Sequence, residues 1–116
     1  MTDLIQRITE AIFRQEGEPA IALNPGNLRG APWLSDPLID SRGFWVPVNR
    51  QAGIAGAAHV VALRIAEGQS LRQLISAWAP PTDGNQTETY IDNISHWAAI
   101  PDAALPLWNF ILEAVT

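Results

Sequence analysis

The 116-residue sequence predicts one mainly helical domain (α+β), spanning residues 1–116, with a small β element after the first helix. Three observations lead there. Apolar residues recur at three- and four-residue spacing in several separate segments, the pattern of helices with one buried face. Clusters of Pro and Gly separate those segments. One short run, Phe44-Trp45-Val46-Pro47-Val48, has the aromatic and branched residues of a strand or hairpin arm, with Pro47 restricting it to a sheet edge. An apolar fraction of 47% in a chain of this length is enough for a packed core.

The first helix is expected over 4–15, with Leu4, Ile5, Ile8, Ala11 and Ile12 inward, Thr2 or Asp3 as its cap and Gly17 as its stop. From 18 to 40 the prolines and glycines forbid a long helix and indicate an ordered loop, and loops of that length commonly carry function. Asn49 is placed to cap a second helix over 51–66, with the stripe Ile54, Ala58, Val61, Ala62 and Ile65. Its Gly and Ala residues allow close approach of other elements. Ser70 and Gln73 form a capping box for a helix over 71–78 that Pro80-Pro81 ends. Thr87 is expected to cap a fourth helix with Tyr90, Ile91, Ile94 and Ala98 inward. After Pro101-Asp102 a last helix is expected to about residue 115, burying Trp108, Ile111, Leu112 and Val115.

Glu16 is the first candidate for chemistry. It lies one turn beyond Ile12 on the apolar face, so its carboxyl points toward the interior or a cleft floor. It also ends a helix, where the macrodipole disfavours negative charge. Both effects favour the neutral acid, the form a proton donor needs. The alternative is a solvated helix-end residue. Asn24-Pro25-Gly26-Asn27 reads locally as a tight turn. Trp78 and Trp108 sit on apolar stripes and are expected in the core, whereas Trp33 and Trp45 are better placed to line a groove. Asp36 and Asp40 are the loop carboxylates available as a second catalytic group, or simply turn formers.

Composition narrows the function classes. The chain carries a formal charge of −5 and no Lys, which disfavours general nucleic-acid binding. No apolar run is long enough to span a membrane. The absence of Cys excludes disulfides and thiolate metal sites, and His59 and His96 are not in metal-ligand spacing, so no metal or other cofactor is expected. No nucleophile-elbow serine and no phosphate-binding glycine loop is present.

Several segments taken together resemble small, often phage-encoded, lysozyme-like proteins related to the soluble lytic transglycosylases. They are Gln15-Glu16-Gly17, then Asn24-Pro25-Gly26-Asn27-Leu28-Arg29, a Phe-containing run leading into a Gly/Ala-rich helix, Trp78-Ala79-Pro80-Pro81, and a polar loop followed by Thr87 and Tyr90. The match in order and spacing covers about residues 5–98. The Gly84 in the polar loop and the acidic net charge depart from the pattern. The resemblance implies a lysozyme-like fold with a groove for peptidoglycan glycan strands, Glu16 as the acid, and Asn27 and Tyr90 beside it. Arg29, Trp33 and Trp45 complete the substrate-binding candidates.

Cleavage of the MurNAc–GlcNAc β-1,4 bond needs a proton on the leaving oxygen. A lytic transglycosylase manages with that one carboxyl group, while a hydrolytic lysozyme would enlist Asp36 or Asp40. A phage or prophage structural domain, or a wall-binding module, that kept the fold without catalysis is the expectation from a different class. Met1-Thr2-Asp3 does not open a secretory signal, so delivery to the wall would be with a virion or by another route. Nothing in the sequence sets the oligomeric state.

Overall fold

The computed structural model describes residues 2–19 and 22–111, and the side chain of Asp83 lies outside that description. The chain forms helix α1 (Thr2–Glu16), α2 (Arg50–Ala66), α3 (Leu71–Trp78) and α4 (Thr87–Trp97), with short 3-10 turns at Pro81–Asp83 and Leu107–Phe110. Helix α1 packs on α4 and α2, and α3 packs on α4. One core results, built from Leu4, Ile8 and Ile12 of α1, Val61 and Ile65 of α2, Leu71, Leu74 and Ile75 of α3, Ile91 and Ile94 of α4, and Ile100 and Leu107 beyond. Each such side chain contributes about 1.5–3 kcal/mol through its removal from water. No helix among the described residues is long and apolar enough to cross a membrane.

The small β element is not supported. Among the described residues no strand forms, and the segment after the first long loop makes one isolated antiparallel bridge, Ile39 with Trp45. The reason lies in where its donors go. The Trp45 N–H is spent on the Leu28 carbonyl (2.9 Å), Pro47 has no N–H to offer, and the Arg42 and Phe44 N–H groups bond the Asp40 carboxylate at 2.8 and 3.0 Å. Only the Asp40 N–H to Phe44 carbonyl (2.8 Å) and Val46 N–H to Leu38 carbonyl (2.7 Å) bonds cross the hairpin-like loop, which makes a single bridge and not a ladder.

Helix boundaries depart from expectation at the caps. Thr2 and Asp3 lie inside the first turn of α1, where Asp3 pairs with Arg7 rather than capping. The other end follows the glycine rule: Gly17 is left-handed (φ 66°) and its N–H closes on the Phe13 carbonyl at 3.0 Å. Asn49 caps α2 by accepting from Ala52 N, and Ser70 with Gln73 makes both bonds of the capping box on α3. Thr87 is not a cap. It is the first residue of α4, and its buried hydroxyl donates to the Ala79 carbonyl at 2.7 Å.

The inward face of α2 is also rotated from the expected stripe. Gly53, Gly56 and Ala57 are buried with Val61 and Ile65, while Ile54 is exposed. Glycine decides this, because a β-carbon on Gly53 would stand 1.7 Å from the Leu23 carbonyl oxygen. One on Gly56 would stand 2.6 Å from the Trp45 ring and 2.8 Å from Trp33. The smallest residues therefore face the long loop, not the largest apolar ones.

The last helix is not formed within the described residues. Leu107 donates its N–H to the Gln69 carbonyl (2.8 Å), and Ser70 bridges Pro106, which ties this segment to the start of α3 and leaves room only for a 3-10 turn. Leu107 enters the core and Ile111 packs partly against it, but Trp108 is 52% exposed and lies over Gly68 instead of being buried. Leu112 and Val115 fall outside the described residues.

Gly53→Ala and Gly56→Ala should each lower stability by about 1–3 kcal/mol, with Gly53→Ala the worse, since a backbone oxygen cannot rotate away as a ring can. Urea denaturation followed by circular dichroism checks the order. Equal midpoints for Gly53→Ala and wild type would refute the close approach of α2 to the loop.

Candidate functional site

The turn formed by Asn24, Pro25, Gly26 and Asn27 is fixed from three sides. The Asn24 side chain donates to the Leu28 (2.9 Å) and Trp45 (3.0 Å) carbonyls and accepts from Leu28 N–H (3.0 Å). The indole N–H of Trp78, at the end of α3, donates to the Gly26 carbonyl at 2.8 Å. Gly26 packs so closely that a β-carbon there would lie 3.0 Å from the Trp78 ring and 3.3 Å from Ala57. Asn27 then takes a left-handed conformation (φ 51°), which Asn tolerates better than most residues.

That conformation aims the Asn27 amide at the end of α1. Its Nδ2 donates to Glu16 Oε2 at 3.1 Å and to Glu18 Oε1 at 2.8 Å. From the opposite side of the sequence, the Tyr90 hydroxyl donates to Glu16 Oε1 at 3.0 Å. Gln15 and Asn93 lock the same helix pair one residue away, with Asn93 Nδ2 donating to Gln15 Oε1 at 2.8 Å, and Arg14 lies over the Trp97 ring. Each Glu16 oxygen thus accepts one hydrogen bond, and a carboxyl group offers about four acceptor directions in all.

Glu16 lies on the wall of a cavity of about 570 Å³. Asn27 and Arg29 line it from the turn, Phe44 from the hairpin-like loop, Val60 and Arg64 from α2, and Leu74 and Trp78 from α3, with Pro80 and Asn85 at the following loop. Arg29 is stacked over Phe44, 4.6 Å from the ring centre, and bonds the Arg42 carbonyl. The loop through Pro80 is itself secured by the Thr87–Ala79 bond and by Asn85 Nδ2 donating to the Pro80 carbonyl at 3.1 Å.

Of the residues singled out in the sequence, Glu16, Asn27 and Arg29 line one cavity, whereas Tyr90, expected to bind substrate, is buried behind Glu16 and bonds it without lining the cavity. Trp33 and Trp45 lie elsewhere. Trp45 is only 4% exposed, its ring meets Trp33 edge-on at 5.4 Å, and the pair walls a second cavity of about 650 Å³ with His59, Pro37 and Leu38. What Trp45 supplies to the Glu16 region is backbone: its N–H and carbonyl hold Leu28 and Asn24.

Neither loop aspartate lines the Glu16 cavity. Asp36 borders the second cavity in a left-handed conformation (φ 61°). Asp40 is a turn former, held below the usual carboxylate range chiefly by the Phe44 N–H, with the Arg42 N–H and guanidinium adding to the effect. The nearby carboxylate that the sequence reading missed is Glu18, exposed and sharing the Asn27 amide with Glu16. The signal available was its position two residues beyond Glu16, just past the turn at Gly17. Trp78, read as core, is half-buried and serves the turn. Arg64, four residues after Val60 on α2, was also missed.

The Tyr90 phenol is held in its protonated form well above the ordinary tyrosine range. Burial is the main cause, and the charge of Glu16 and the hydrogen bond to it push the same way, well above the ordinary value of about 10. No group of three or more His, Cys, Asp or Glu that could hold a metal ion occurs among the described residues. No protein family, curated protein or solved structure was found to match this chain.

Tyr90 is the only tyrosine, so its titration can be read directly. Its folded form holds the proton more tightly than the unfolded form, so the stabilisation it gives is complete below the unfolded value. It is lost as pH rises beyond that value toward the folded one. Phenolate absorbance near 295 nm should therefore appear only together with loss of the helical circular-dichroism signal. Tyr90→Phe should abolish this alkaline loss. Phenolate appearing at about pH 10 in a fully helical protein would refute the Glu16–Tyr90 arrangement.

Proposed function

We propose that this protein is a lysozyme-like glycosidase that cleaves MurNAc–GlcNAc β-1,4 bonds in peptidoglycan glycan strands, of the lytic transglycosylase type. The observation that carries the reading is the Glu16 carboxyl on the wall of the cavity of about 570 Å³, oriented by Tyr90 and Asn27. Three segments of the sequence resemblance, remote in the chain, supply that constellation.

In its acid form Glu16 gives its proton to the glycosidic oxygen, and the bond from that oxygen to the sugar's anomeric carbon breaks as oxocarbenium character develops. The 6-hydroxyl of the same sugar then attacks the anomeric carbon. Its proton returns to the Glu16 carboxylate, which leaves a 1,6-anhydro sugar and restores the acid. Fixing Glu16 with two hydrogen bonds keeps one carboxyl group in position for both transfers, and removes freedom that would otherwise be lost at the transition state. The absence of Asp36 and Asp40 from this cavity supports single-acid chemistry.

One observation favours hydrolysis as the second reading. Glu18 reaches the same amide nitrogen as Glu16, so a second carboxylate stands beside the first, although it does not line the cavity. In a hydrolase it would act on a water molecule. A non-catalytic domain is the third outcome, in which Glu16 serves only to tie α1 to the turn and to α4.

Purified protein and isolated sacculi separate these. Glu16→Gln should keep the fold, since the Gln carbonyl oxygen can accept from Asn27 while its NH2 donates to the Tyr90 hydroxyl oxygen, and muropeptide release should fall by roughly a hundredfold to ten-thousandfold. Mass spectrometry of the wild-type digest should show 1,6-anhydro ends, and Glu18→Gln should retain most activity. Reducing ends together with an inactive Glu18→Gln would shift the assignment to a hydrolase. Release unchanged in a folded Glu16→Gln protein would remove Glu16 from the chemistry, and no release by wild type would leave the tie as its function.

A further inference from the structure

The second cavity, of about 650 Å³, lies against the first half of α2, and the Glu16 chemistry does not use it. Its size falls within the roughly 300–1,000 Å³ of small-molecule sites. Trp33, Trp45 and His59 wall it with three rings. Trp33 meets Trp45 at 87° and His59 at 62°, with ring centres 5.4 and 5.1 Å apart. Rings at such steep angles stand as the walls of a box and do not close into a stack. The face of an indole ring is electron-rich, and a cation placed against it is attracted.

Charge in the lining points the same way. Asp36 borders the cavity from an exposed loop, and its carboxylate makes no hydrogen bond or ion pair with any described residue. No other carboxylate is among the lining residues. All seven arginines lie within the described residues and none of them lines this cavity, and the protein has no Lys. Asp36 therefore has no side-chain cation of its own beside it except where His59 takes up a proton. The rest of the wall is apolar, with Leu34, Leu38 and Val48 all exposed. Apolar side chains in that position favour a ligand with an apolar body, since covering them removes their surface from water.

We infer that this cavity binds a small organic cation, with its ammonium group against Asp36 and the tryptophan rings and its apolar body against Leu34, Leu38 and Val48. A neutral molecule of the same shape gains the apolar contacts without the attraction of the carboxylate and the rings. An anion meets Asp36 and finds no guanidinium to receive it. The two cavities share α2, since His59 faces this one and Val60 the other, but they share no lining residue. Binding here holds whether or not the protein cleaves glycans at Glu16.

The test uses the whole chain labelled with nitrogen-15, at about pH 8, above the ordinary histidine range. Three probes of closely similar shape are titrated: naphthylethylammonium, naphthylethanol and naphthylpropionate. The indole N–H resonances locate the ligand, because Trp33 and Trp45 wall this cavity and Trp78 lines the other. The ammonium probe should shift Trp33 and Trp45 and leave Trp78 in place. It should bind about tenfold tighter than the alcohol, and the carboxylate more weakly still, with an advantage that shrinks as salt is added. Asn tolerates the left-handed conformation held at position 36 (φ 61°), so Asp36→Asn should stay folded. It should bring the ammonium-to-alcohol ratio down to about two, the share left to the rings. Asp36→Gly suits the same conformation and covers the case in which Asn disturbs folding, judged by circular dichroism. Ala55 is an exposed lining residue of α2, and Ala55→Leu should fill the space and abolish the shifts from all three probes. Equal affinity for ammonium and alcohol, shifts centred on Trp78, no binding of any probe, or a preference unchanged in both Asp36 variants would overturn the inference.

Discussion

The hydrogen bond from the Trp78 indole to the Gly26 carbonyl joins the end of α3 to a turn with no regular secondary structure of its own. Much else follows from it. It fixes the turn over the glycine, the turn puts Asn27 in a left-handed conformation, and that conformation delivers an amide to Glu16. Asn24 reinforces the same turn by bonding Leu28 and Trp45, which draws the hairpin-like loop against it. A buried or half-buried polar group that loses its partner costs about 1–3 kcal/mol, so these bonds persist as a set.

The helices and the turn were legible in the sequence to different depths. Apolar spacing located the four α-helices of the described residues, because burying one face leaves a periodic record. It misjudged which face of α2 is inward, since a glycine stripe that admits Trp33, Trp45 and the Leu23 carbonyl carries no hydrophobic signal. It also assigned Thr87 to a cap, when the hydroxyl was needed by a carbonyl eight residues earlier. The run from Phe44 to Val48 has strand composition, but composition does not say where N–H groups go: Asp40 and Leu28 take those of Phe44 and Trp45, and only that of Val46 crosses to a neighbouring backbone carbonyl, Leu38, as a ladder would require. Trp108 has helical spacing relative to Ile111, yet Pro106 and Leu107 are pinned to the start of α3 and turn the ring outward.

At the site, Glu16 was legible from its place on a helix face, and its partners only from resemblance. Asn27 and Tyr90 are eleven and seventy-four positions away, and nothing local in either segment points to a carboxylate. Trp33 and Trp45 illustrate the converse. Aromatic residues in a loop and an expected strand suggested the lining of a sugar groove, but they pack against each other and against Gly56, forming the wall of a different cavity.

The separation between Glu16 and Tyr90 has a consequence for the chain as it is made. Synthesis proceeds from the N-terminus, so α1 and the Asn24–Asn27 turn are complete while α4 is still to be translated. Until about residue 93 has left the ribosome, Oε1 of Glu16 lacks its phenol and Gln15 lacks Asn93. Pairings between such distant positions carry a large loop-closure cost and form late. The carboxyl group is therefore set in place by α4, and a nascent chain that ends before α4 carries the turn without the geometry.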